Sequence, residues 1–106
     1  MTINGVSQTS GVQRLVDISS SGEGLRLGIR DRQPGSEWVY TAIAADDLMT
    51  VLTEQPKGVQ SIPGSDGKPL SVEVRRNEIW LTIDGPDAAV GIDDLMDAVG
   101  ESLPSA

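Results

Sequence analysis

"ADDLMTVL" (Ala45–Leu52) and "IDDLMDAV" (Ile92–Val99) carry the same four letters, DDLM, 47 positions apart. In the first stretch Ala45, Leu48, Met49 and Leu52 fall at i, i+3, i+4 and i+7. In the second, Ile92, Leu95, Met96 and Val99 take the same slots. That spacing gathers all four on one face of a helix. Asp46 and Asp93 fall where a helix N-cap belongs, and Asp47 and Asp94 follow in the first turn, where a carboxylate meets the positive end of the helix dipole. DDLM is therefore expected to be a helix start written twice, with its Leu and Met in the core.

The residues before each helix also read as pairs. "GVQ" occurs at Gly11–Gln13 and at Gly58–Gln60. "LRLGIRD" from Leu25 matches "LSVEVRR" from Leu70, and "EWVYTAI" from Glu37 matches "EIWLTID" from Glu78. Leu25, Leu27 and Ile29 alternate with polar residues, as do Leu70, Val72 and Val74, which is the period of a strand with one buried face. The second copy inserts "DGPDAAVG" before its helix. The expected domain is α+β, built from internally duplicated strand-strand-strand-helix units at 11–54 and 58–103. It has an antiparallel sheet with two helices packed on one face. Residues 1–10, small and polar, are expected to be a flexible N-terminal arm.

Composition narrows the chemistry. The chain has 106 residues, no Cys, no His and a net charge of −8. One modest core fits that length. Disulfides, thiol nucleophiles, His general bases and Ser-His-Asp triads are excluded. "PGSDGKP" lacks the spacing of a phosphate loop, and no stretch has the alternating ligands of an EF-hand. No cofactor, metal site or catalytic constellation is expected, so the protein reads as non-catalytic. The charge disfavours duplex DNA and anionic membranes as partners. The N-terminus lacks the basic-then-apolar pattern of a secretory signal, which makes the cytoplasm the expected location. Arg outnumbers Lys while Gly and Asp are plentiful, a style shared with actinobacterial and phage proteins.

Two surfaces are candidates for function. Asp84, Asp87, Asp93, Asp94, Asp97 and Glu101 form a segment of six acids without a base. The first helical turn accounts for Asp93 and Asp94. It does not account for Asp97 and Glu101, which face like charges and oppose the dipole at the helix C-terminus. Asp84, Asp87, Asp94, Asp97 and Glu101 are the expected docking stripe for a basic protein, as in a small regulatory or inhibitory protein acting on a nucleic-acid-binding partner. The second surface is the outer sheet face. Alternation turns Arg26, Arg30 and Arg75 away from the apolar face. If Ile79, Leu81 and Ile83 face the core, Trp80 joins them, with Trp38 and Tyr40 by matching position; the alternative is that Trp38 and Trp80 are buried. Aromatic rings with Arg on a sheet suit a protein partner or a homodimer interface. They also suit a stacking platform for single-stranded nucleic acid. The duplicated strands-then-helix layout resembles that of PUR-repeat and whirly-type proteins, and the resemblance implies single-strand binding across that face.

Overall fold

The computed structural model describes residues 1–22 and 24–102. Eight strands and two helices follow one another in the order β1 (Thr2–Val6), β2 (Gln13–Ser21), β3 (Gly24–Asp31), β4 (Val39–Ile43), α1 (Ala45–Glu54), β5 (Val59–Ile62), β6 (Leu70–Arg75), β7 (Glu78–Ile83), β8 (Asp87–Gly91) and α2 (Ile92–Ser102). The strands form one antiparallel sheet in the order β4-β3-β2-β1-β8-β7-β6-β5. The architecture is α+β and internally duplicated, β1–β4–α1 against β5–β8–α2. Each half is a four-strand meander closed by a helix, one strand more than the sequence pattern suggested.

Alternation sets the layers. Val16, Ile18, Leu25, Leu27, Ile29, Leu70, Val72, Ile79, Leu81 and Ile83 all turn inward and are fully buried. Leu48, Val51 and Leu52 of α1 join the same core, as do Ile92, Leu95, Ala98 and Val99 of α2. Both helices therefore cover one sheet face. At about 1.5–3 kcal/mol per buried aliphatic side chain, this layer is the main favourable term in the fold.

Three sequence expectations change. Residues 1–10 are not a loose arm, because Thr2–Val6 forms β1 in the middle of the sheet, between β2 and β8. The Met1 ammonium donates to the Ile18 carbonyl (2.6 Å), and Ile18 N–H donates back to Met1 O (2.8 Å). The strand is hard to read because "TINGV" offers one large inward residue, Ile3, and contains Asn-Gly, a turn dipeptide. The repeat boundaries shift accordingly. "LRLGIRD" is β3, whereas "LSVEVRR" is β6, the counterpart of β2. The paired strand blocks were thus one strand out of step, while the DDLM pair was in step; Leu103, the expected end of the second repeat, lies outside the described residues. The helices also begin two residues early, at Ala45 and Ile92. Asp46 and Asp93 are first-turn residues rather than N-caps, and Ala44 precedes α1 without a side-chain cap.

Two seams join the halves. At the first, β1 meets β8 in register at Val6 and Ala89. At the second, no ladder links β4 to β5. Instead the 3-10 turn at Ser65–Gly67 clamps the edge of β4: Thr41 Oγ1 donates to Lys68 O (2.5 Å) and Ala42 N–H donates to Ser65 Oγ (3.0 Å). Gly64 lies against Thr41 so closely that a Cβ there would collide with the Thr41 hydroxyl. The helices cross between halves: α1 packs on β3 and β5, and α2 packs on β1, β2 and β8.

Candidate interaction surfaces

The outward surface of α2 is acidic from end to end. Asp93, Asp94, Asp97 and Glu101 are all exposed, and the helix has no base. Met96 stands among them, 42% exposed. The sequence placed Met96 in the core, at the position Met49 holds in α1. Met49 does pack against the core. Both helices bury equivalent positions, Leu48, Val51 and Leu52 in α1 and Leu95, Ala98 and Val99 in α2, and Met96 lies at the rim of that face, outside it. Its neighbours one turn away on the same surface are Asp93 and Gly100. An exposed thioether at the edge of an all-acidic face, with Asp93 one turn before it, is the feature that distinguishes α2 from α1.

The other two members of the expected stripe behave differently. Asp84 is exposed in the β7–β8 turn, at φ +46°. Asp87 is committed inside the protein. Its carboxylate accepts from Ser7 Oγ (2.7 Å), Gln8 N–H (2.9 Å) and Thr9 Oγ1 (3.0 Å), all in the β1–β2 loop. Arg14 Nε donates to the Asp87 carbonyl (3.2 Å) and the Arg14 guanidinium also pairs with Asp31. Burial alone would raise the Asp87 pKa. The three hydrogen bonds and the Arg14 charge outweigh it and hold the carboxyl below the ordinary aspartate range. Asp87 thus fastens the first seam, a role that depends on a loop eighty residues away and has no local signal.

On the outer sheet face the structure gathers four of the six expected residues. Trp38 and Tyr40 stack with centroids 5.5 Å apart and planes 26° from parallel. The Arg26 guanidinium lies 3.9 Å from the Tyr40 centroid and the Arg30 guanidinium 5.1 Å from that of Trp38. The result is a ladder of Arg26, Tyr40, Trp38 and Arg30. Gly28 forms its floor, opposite Tyr40 in the β3–β4 register, and a Cβ there would run into the Tyr40 ring. Arg30 Nε is buried without a hydrogen-bond partner. A cleft of about 360 Å³ opens beside it, lined in part by Arg30, Glu37 and Val39.

Trp80 and Arg75 are separate. Arg75 lies 4.3 Å from the Trp80 centroid and donates from Nε to Glu73 (2.6 Å). Between this pair and the ladder run β2, β1 and β8, so the six residues form two sites and not one platform. All three rings are only half-buried. The sequence could not supply Gly28, whose importance appears only once β3 and β4 are in register.

Among the described residues no group of three or more acids is placed to hold a metal ion, and no helix is long and apolar enough to cross a membrane. Compared with family models, curated proteins and solved structures, the chain matches none. The likeness to PUR-repeat and whirly-type layouts is therefore one of element order alone.

Proposed function

We propose that this protein is a non-catalytic interaction module of the cytoplasm that docks a basic protein through the outward face of α2. The observation that carries the reading is the contrast between the two methionines of DDLM: Met49 packs inward while Met96 stands out among acids. Exposed methionines adapt to varied apolar surfaces. Carboxylates around one steer a basic partner in and set its register. Asp94, Asp97 and Glu101 supply the charge; Asp84 lies apart from them, at the other end of β8.

The test uses a fluorescent amphipathic peptide with lysines on one face and leucines on the other. Binding by anisotropy should weaken about tenfold or more in D97K/E101K, a loss of about 1.4 kcal/mol or more, and Met96→Ala should weaken it independently of salt. Equal binding by wild type and D97K/E101K rejects the reading.

A second reading is favoured by the Arg26–Tyr40–Trp38–Arg30 ladder. Alternating guanidinium and ring suits the phosphates and bases of a single strand. Seven of the acids lie on the helices, three in α1 and four in α2, away from this outer face. On this reading a short oligothymidine quenches Trp38 emission at low salt and added salt reverses it. The effect should survive Trp80→Phe and vanish in R26A/R30A. Emission that is indifferent to the oligonucleotide rejects it.

A further inference from the structure

We propose that the two halves of this fold exchange between copies of the chain, giving a domain-swapped dimer whose hinge is Gln55–Gly58. Each helix covers its own half in part, α1 on β3 and α2 on β8, and the other half in part. The helix of the first half, α1, packs on β5 of the second, and α2 packs on β1 and β2 of the first. Both seams also run between halves: Val6 with Ala89 and the Asp87 clasp at one, Thr41 and Ala42 with the Ser65–Lys68 turn at the other. Ser102 Oγ reaches back to the Ile18 carbonyl (3.0 Å). Every one of these contacts forms equally well when the second half belongs to another copy.

One covalent connection alone decides which second half is used. It is the stretch from Gln55 to Gly58, between α1 and β5. In the closed monomer Gln55 ends α1 as a left-handed C-cap at φ +47°, its N–H donating to Val51 O (2.8 Å), and Gly58 follows at φ +84°. The left-handed region disfavours a residue with a side chain such as Gln55. An extended hinge releases it, and Pro56 suits extended backbone. Short hinge loops under strain invite exchange of identical elements. The partner is therefore a second copy of this chain, joined through the seams that already hold one copy together.

The chain has no cysteines, so V6C/A89C places a single reporting pair across the first seam. The full chain is unfolded in guanidinium, refolded over a range of concentrations, oxidised and weighed under denaturing, non-reducing conditions. A closed monomer gives an intrachain disulfide; a swapped dimer gives interchain disulfides and doubled mass. The interchain fraction should rise with refolding concentration. Deleting Pro56–Gly58 in the same background leaves too little chain to turn back, and should make the linked dimer dominant with unchanged far-UV circular dichroism. An intrachain monomer at every concentration of V6C/A89C overturns the proposal, whatever the deletion variant does.

Discussion

Leu81→Ala should lower the unfolding free energy by about 3 kcal/mol, within the range of about 2–5 for a buried Leu. Leu81 is fully buried on β7, with Val72 opposite it on β6 and Ala88 opposite it on β8. Ala88 is too small to fill the space a truncated side chain would leave, and the strands on both sides are held by their ladders. The cavity should therefore stay largely open. A domain of this length has about 5–15 kcal/mol in total, so one truncation removes a large part of it. Urea titration measures the effect as a lower midpoint with an unchanged slope. Met96→Ala provides the contrast. Its side chain lies outside, and the change should stay within about 0.5 kcal/mol. A Met96→Ala loss as large as that of Leu81→Ala would mean that α2 turns its other side to the core.

Asp87→Ala should cost about 2 kcal/mol at neutral pH, through loss of three hydrogen bonds to a charged acceptor at a half-buried site. The cost should depend on pH with a definite sign. The folded pKa of Asp87 lies below its ordinary value, so the native state binds its proton later than the unfolded state does as acid is added. The contribution is complete above the unfolded value of about 4 and is lost as pH falls through the lower folded value. Urea midpoints of wild type and Asp87→Ala should differ at pH 7 and converge under acid. A gap that persists at low pH would assign the stabilisation to packing and not to the carboxylate. Ser7 is itself buried, so Ser7→Ala should reproduce part of the loss.

Much of this fold is legible in residues. The period-2 runs of Leu25–Ile29, Leu70–Val74 and Ile79–Ile83 announce their strands and their buried sides, and DDLM announces both helices. What alternation cannot do is number the strands. One amphipathic strand looks much like another, and so β3 was matched to β6 when its counterpart is β7. β1 and β8 escaped for a different reason. "TINGV" and "DAAVG" bury small residues, Gly5, Ala88 and Ala89, and small residues carry little periodic signal. The stripe misplaces Met96 because its slot lies at the rim of the buried face: the equivalent Met49 packs on the core while Met96 is left outside, although both helices bury the same central positions. Alternation turns Trp80 outward once Ile79, Leu81 and Ile83 face the core, but it leaves open whether Trp38 and Trp80 are buried, and all three rings are half-buried. Their division into two sites does not follow from alternation, because it depends on β2, β1 and β8 running between them.

The position of β1 has a consequence for how the chain comes off the ribosome. On synthesis β1 finds β2 at once but meets β8 only after the six elements from β3 to β7, α1 among them, have been made. Within each half the meander contacts are local and form early. The joining of β1 to β8 closes a loop of some eighty residues, the kind of contact that sets the pace of folding. Until then Ile3, Val16 and Ile18 lack α2 and β8 as cover, and the nascent first half is a sheet with a bare edge at its future centre. Such edges pair with whatever strand is near. Translation speed through the second half should therefore govern how much chain is lost to aggregation.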